Sequence, residues 1–257
     1  IINFSHYFPY GFMTPAAWIA FSARRYMHEY GATSEDFGRV AVAMRDFAAT
    51  NPNAFFYQRP ITLEEHQGSR MIADPLRLYD CCQESDGAVA FVVTSVERAR
   101  DLANTPALIA GARQSIVKES RMMTPFYGDS LSGIAEFDAC AGDVYSMAGL
   151  APDDIDVACL YDHFSPWVLP QLEAFGFCDR GEAKDFIKDG HIARGGKLPV
   201  NPHGGQLGEA YIHGMNGIAE AVRQIRGTSV NQVAGVNHVL ITAGAGVPTG
   251  AAILEKG

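Results

Sequence analysis

Two tyrosines and three histidines fall in two short stretches of this 257-residue chain. "LYDHFSPW" carries Tyr161 and His163, and "NPHGGQLGEAYIHG" carries His203, Tyr211 and His213. Phenols and imidazoles exchange protons with oxygen and nitrogen centres, so acid/base chemistry is the natural reading. The diglycine Gly204–Gly205 lets backbone come close to a ligand or another loop. A third stretch, "ITAGAGVPTG", offers Gly244 and Gly246 in the same capacity. Tyr161, Tyr211, His163 and His213 are therefore candidate catalytic residues. His203, Gly204, Gly205, Gly244 and Gly246 are candidate substrate-binding positions. The plain alternative stands beside this. A tyrosine at the end of an element packs its ring and wets its hydroxyl. A lone loop histidine is more often a structural hydrogen-bonder than a catalyst.

The flanking pattern says what positions these loops. "TPAAWIAFSARRYMHEYG" predicts a helix with Thr14 as N-cap, Pro15 at its first position and Gly31 as its stop. "TSEDFGRVAVAMRDFAA" predicts a second, with Thr33 and Asp36 close to a capping box. In it Phe37, Val40, Ala41, Met44 and Phe47 recur at helical spacing. Thr62 and Glu65 repeat the capping signal. "DGAVAFVVTS" predicts a buried strand over Ala88–Thr94, and "PALIAGA" another. Arg113 to Ser130 reads as loop. Ser132 to Ala148 predicts a helix closed by Gly149, and "DIDVACLY" a strand ending at Tyr161. "SPWVLPQLEAFGF" predicts a helix capped by Ser165. "EAYIHGMNGIAEAVRQIRG" predicts a helix with Tyr211 near its start, an apolar stripe of Ile212, Met215, Ile218, Ala219, Val222 and Ile225, and Gly227 as its end. "HVLITAGAG" and "TGAAILEK" predict the last strands. Helices alternating with buried strands argue for a layered α/β domain.

Composition narrows the classes. Hydrophobic residues are 47% and charged residues 19% of the chain, which suits a packed globular enzyme. The formal net charge is −9 and there is no Lys/Arg run, so nucleic acid is not an expected partner. No stretch of about 18 apolar residues is present to span a membrane. The five cysteines are odd in number and lack CxxC spacing. That argues against a zinc site or a disulfide framework and for a reducing cytoplasm. The chain opens "IINFSHYFPYGF", without Met or a signal-peptide pattern.

"YDHFSPWVLPQLEAFGF", "LPVNPHGGQLGEAYIHGMNGIAEAVRQIRG" and "LITAGAGVPTGAAILEK" resemble the C-terminal half of the thiolase superfamily, nearest its lipid-transfer, sterol-carrier-protein-x type branch. "ARRYMHEYGATSEDFGRVAVAMRDFAATNPNA" resembles that branch's loop domain, and "SRMIADPLRLYDCCQESDGAVAFVVTS" its return into the last strand of the N-terminal half. The resemblance covers nearly the whole chain. It implies a thiolase-like layered α/β/α fold, with residues 1–115 as loop domain and last N-terminal strand and 116–257 as C-terminal half. It also implies that the chain begins after the helix bearing the thiolase nucleophilic cysteine.

The departures point to the chemistry. In thiolases an asparagine-glutamate motif holds a catalytic water; here it reads Tyr161-Asp162-His163-Phe164. The position of the thiolase histidine base is held by Tyr211. Where a late Cys-x-Gly motif is expected, the chain reads Thr242-Ala243-Gly244. The tyrosines resemble those of the thiolase-like steroid side-chain aldolases of actinobacterial sterol catabolism. That resemblance implies retro-aldol cleavage of a 17-hydroxy steroid acyl-CoA to a 17-keto steroid and propionyl-CoA. It implies no cofactor beyond the CoA carried by the substrate. It further implies a homodimer core and a small OB-fold, zinc-ribbon partner. The alternatives are an acyl-CoA thiolase, a non-catalytic lipid or acyl-CoA binding protein, and a scaffold that stabilises a hydratase subunit.

Overall fold

A computed structural model describes residues 5–118, 130–246 and 249–257. The front of the chain is helical, and its ends follow the expected signals. Helix α1 (Pro15–Tyr30) has Thr14 Oγ1 accepting from the Ala17 amide and Gly31 in the left-handed region. Helix α2 (Ser34–Thr50) opens on a full Thr33/Asp36 capping box and buries Phe37, Val40, Ala41, Met44 and Phe47. Helix α3 (Leu63–Gly68) repeats the box with Thr62 and Glu65. A short hairpin, β1 (Met71–Ala73) with β2 (Leu76–Arg77), follows.

The predicted strand over Ala88–Thr94 is not one. That segment has no regular structure, and Val92 and Val93 are 96% and 78% exposed. A β-branched run becomes a strand only where a neighbour accepts its backbone bonds, and among the described residues none lies beside it. A five-residue helix, α4 (Val96–Arg100), comes next.

The sheet has the order β3 (Ala107–Ser115), β6 (Thr249–Lys256), β5 (His238–Gly244), β4 (Val157–Cys159). β6 runs antiparallel to both β3 and β5, whereas β4 and β5 are parallel. The division set at residue 115 falls at the end of β3, whose length pairs with the last strand of the chain. Most of the Arg113–Ser130 stretch read as loop lies outside the described residues.

Alternation along the strands separates two layers of core. Ala158, Leu240, Ala251 and Ile253 join the main cluster with Phe137, Cys140 and Val144 of helix α5 (Ala135–Ala148). Val157, Cys159, Val239, Ile241 and Leu254 face the other way. They pack with Ala221 and Ile225 of a late helix over Met215–Arg226. Helices therefore cover both faces, giving the expected α/β/α layering.

That late helix departs from its predicted stripe. Its fully buried face is Asn216, Gly217, Glu220, Ala221, Gln224 and Ile225, while Ile218 and Val222 are half-buried. The side-chain amides on this face find acceptors. Asn216 donates to Glu209 and to the Ala210 carbonyl, and Gln224 donates to Glu220 and to the Asn231 carbonyl. No helix among the described residues is long and apolar enough to cross a membrane.

Candidate active site

Strand β4 stops at Cys159, and the chain continues through buried Leu160 and Tyr161 into Asp162 and His163. Tyr161 is held by its backbone. Its amide donates to Thr242 Oγ1 (2.9 Å) and to Gln171 Oε1 (3.2 Å), and Gln171 Nε2 returns a bond to the Tyr161 carbonyl (2.8 Å). Thr242 Oγ1 in turn donates to Gln171 Oε1 (2.6 Å). The residue standing where a thiol was expected is thus a hydroxyl that fixes Tyr161. Gln171 comes from helix α6 (Val168–Ala174), which follows a 3-10 turn over Ser165–Trp167.

Gly204–Gly205 leads into a single turn of helix over Gly205–Gly208. Its free amides are taken by the protein itself. Asp162 accepts from the Gln206 amide (2.8 Å) and the Leu207 amide (3.5 Å). Gly205 has φ +67°, and a Cβ placed there would lie 1.9 Å from Asp162 Oδ2. A Cβ on Gly204 would meet Ala48 of α2 at 2.7 Å. The diglycine thus lets two segments of the protein close on each other. Burial pushes the Asp162 carboxyl up to about 7, although the backbone amides and Asn201 oppose the shift.

Tyr211 is not at a helix start. The helical turn ends at Gly208, and the next helix, Met215–Arg226, begins after Gly214. Between them Tyr211 lies half-buried in a loop, with His213 exposed at φ +49°. No helix N-terminus therefore stands beside the Tyr211 phenol to favour its anion, and burial raises its pKa.

The two phenols nevertheless meet. Tyr161 Oη and Tyr211 Oη are 3.2 Å apart, and Tyr211 Oη is 3.2 Å from His213 Nδ1. The chain of contacts thus runs from a buried phenol through a half-buried one to an exposed imidazole. Burial, followed by the bond to Tyr211, pushes the Tyr161 phenol well above its ordinary range. The same bond favours ionisation at Tyr211, which therefore is the easier of the two to deprotonate.

His163 is packed against Tyr161, with ring centroids 4.8 Å apart, and edge-on to Trp167 at 5.5 Å. It is fully buried, and neither ring nitrogen has a hydrogen-bond partner among the described residues. Burial lowers its pKa to about 3, so it is a neutral imidazole at ordinary pH. His203 belongs to another buried group: its Nε2 is 3.9 Å from Glu209, which also accepts from Asn51 and Asn216. Burial lowers the His203 pKa to about 4. Gly244 and Gly246 have left-handed backbones, and their carbonyls accept from Trp167 Nε1 (3.3 Å) and Thr249 Oγ1 (2.5 Å). Val247 and Pro248 beyond them lie outside the described residues.

Reading the sequence missed Gln171, Thr242's hold on Tyr161, and Gly214. The Gly214 Cα lies under the Tyr161 ring, where a Cβ would approach Cδ2 to 3.2 Å. All five cysteines are free, and burial raises every one of their thiols; Cys81, Cys82 and Cys178 are each pushed up to about 12. None is an activated nucleophile. Among the described residues no group of three or more His, Cys, Asp or Glu is placed to hold a metal ion.

Comparison with known proteins then places the chain. A family model described as thiolase C-terminal domain-like matches residues 129–255. The solved Ltp2-ChsH2(DUF35) aldolase is 63% identical and superposes with a TM-score of 0.98, covering 99% of this chain and 67% of that one. The chain belongs to the thiolase superfamily. Within that superfamily it is 65% identical, over 96% of its length, to a steroid side-chain-cleaving aldolase of Thermomonospora curvata. It is 59% identical, over 98% of its length, to a 17-hydroxy-3-oxo-4-pregnene-20-carboxyl-CoA lyase of Mycobacterium tuberculosis. The chain spans 63% and 66% of the lengths of these two curated relatives. Human mitochondrial 3-ketoacyl-CoA thiolase, at 16% identity and a TM-score of 0.59, shares the thiolase fold.

Proposed function

We propose that the protein cleaves the C17–C20 bond of a 17-hydroxy steroid acyl-CoA by a retro-aldol reaction, giving a 17-keto steroid and propionyl-CoA. The carrying observation is the pair of phenol oxygens 3.2 Å apart, with an imidazole on the second. The names of two curated relatives support the same substrate class.

Tyr211 takes the proton of the substrate's tertiary hydroxyl while passing its own to His213 Nδ1. No standing phenolate is needed, which matters for a phenol whose pKa is raised. The alkoxide's electrons form the ketone as the C17–C20 bond breaks, and the thioester becomes an enolate. His163 donates a hydrogen bond from its neutral imidazole to the enolate oxygen, which gives a use to a buried ring without a partner among the described residues. Tyr161 protonates the enolate carbon and recovers its proton from His213 through Tyr211, so the cycle closes with no net proton change. Gly204, Gly205, Gly244, Gly246 and His203 shape the surrounding walls.

Residues 1–115 act as loop domain and last N-terminal strand, and 116–257 as the C-terminal half. No cofactor beyond the substrate's own CoA takes part. The protein works in the cytoplasm as a homodimer core joined to a small OB-fold, zinc-ribbon protein. The solved relative's name supports a second component. The test is to incubate the full-length protein and that partner with a 17-hydroxy steroid acyl-CoA. Equal amounts of 17-ketone and propionyl-CoA are expected. Release of a chain-shortened acyl-CoA only when free CoA is added would instead indicate a thiolase.

A further inference from the structure

The segment after the hairpin, Cys81–Gly87, touches both tyrosine loops. Cys81 forms an isolated antiparallel bridge with Phe164, and the Cys82 amide donates to the His163 carbonyl (3.0 Å). Three residues further on, Ser85 Oγ accepts a hydrogen bond from the Tyr211 amide (3.1 Å). At Gly87 a Cβ would come within 2.9 Å of the Ile212 side chain, so the segment lies directly on the Tyr211 loop. It is anchored to the Tyr161–Phe164 segment at one end and to Tyr211–Ile212 at the other.

We infer that Ser85 is a positioning residue for Tyr211, setting the distance between the two phenols from a segment 126 residues away in sequence. This inference rests on the aldolase reading given above. Tyr211 needs such a tether because its own surroundings are open. It sits in a loop between two helices, half-buried, beside an exposed histidine in a left-handed conformation. Tyr161 already has two hydrogen-bonding side chains on its backbone, from Thr242 and Gln171. Ser85 supplies on the Tyr211 side what Thr242 supplies on the other: a side-chain hydroxyl oxygen that accepts from the tyrosine amide. A shift of about 1 Å at a reacting group costs up to about a hundredfold in rate, so loss of this tether falls on the chemical step more than on binding.

The experiment compares Ser85→Ala and Ser85→Thr in the full-length protein with its partner. It reads steady-state cleavage of the steroid acyl-CoA and, separately, amide hydrogen exchange over 210–213 and 159–163. Ser85→Ala is expected to lower kcat about tenfold with KM nearly unchanged. It is also expected to speed exchange over 210–213 about tenfold while leaving 159–163 as it was. Ser85→Thr keeps the oxygen and restores both. Unchanged exchange over 210–213 in Ser85→Ala overturns the inference. So does an equal loss in both variants accompanied by a lower melting temperature, which marks a merely structural serine. If exchange responds as expected but the parent protein does not cleave the steroid acyl-CoA, the tether stands and the aldolase reading fails.

Discussion

The two tyrosines reach the same point from unlike surroundings. Tyr161 lies two residues past the end of β4, is 6% exposed, and has its amide and carbonyl held by Thr242 and Gln171. Tyr211 comes from a loop, is half-buried, and has one side-chain bond to its backbone, from Ser85. The contrast teaches a division of labour. A phenol in a fixed, dry setting keeps its proton and delivers it to one place. A phenol in a looser and wetter setting can exchange its proton with an exposed imidazole. In the proposed retro-aldol cleavage, the fixed phenol would serve as proton donor and the looser one as shuttle.

The comparison is broken most severely by removing either hydroxyl. Tyr161→Phe and Tyr211→Phe are each expected to lower kcat for cleavage by about 10²–10⁴, with folding preserved by circular dichroism. Near-parental turnover in either variant would remove that tyrosine from the chemistry. Next in size is Gly205→Ala. Its Cβ would collide with Asp162 in a left-handed backbone, so the loop carrying Tyr211 must move. A loss of about 3 kcal/mol in stability is expected from urea unfolding, together with loss of cleavage.

Thr242→Val sharpens the Tyr161 side alone. It leaves the buried Tyr161 amide with the longer bond to Gln171, and about 1–2 kcal/mol of stability should be lost. Exchange should quicken over 159–163 and not over 210–213.

An effect of similar size is expected on pH dependence. Asp162, which joins the segment of Tyr161 to the turn preceding Tyr211, has its folded pKa raised to about 7 by burial. A raised carboxyl pKa means the folded state binds more protons than the unfolded one. Its contribution to stability is full below the unfolded value and is lost as pH rises through about 7. Asp162→Asn does not titrate. Any stability deficit of this variant should therefore shrink by roughly 2 kcal/mol between pH 5 and pH 8. Paired thermal melts at the two pH values check the sign.

Much of the framework was legible because it is local. Thr33 with Asp36, Thr62 with Glu65, Thr14 with Pro15, and the stops at Gly31, Gly149 and Gly227 are decided within a few residues. The short apolar runs in "HVLITAG" and "AAILE" were enough to indicate strands. What failed depends on partners. Ala88–Thr94 has a strand's composition but no neighbour among the described residues. "EAYIHG" continues a helical pattern, yet the helix starts at Met215 because the chain turns at Gly214 with φ +84°. The polar residues Asn216, Glu220 and Gln224 lie outside the predicted apolar stripe, yet are buried where Glu209, Asn231 and Ser229 meet them. The candidate tyrosines were legible only through the family pattern. Their tethers, Thr242 and Ser85, lie 81 and 126 residues away, beyond any local signal.

The central claim is that the two phenols act as one hydrogen-bonded unit. A double-mutant cycle on kcat, using Tyr161→Phe, Tyr211→Phe and the combined variant, tests it most directly. Groups that act together are non-additive, so the double variant should be about as slow as the slower single one. Losses that multiply, with the double variant falling by the product of the two single effects, would contradict the account.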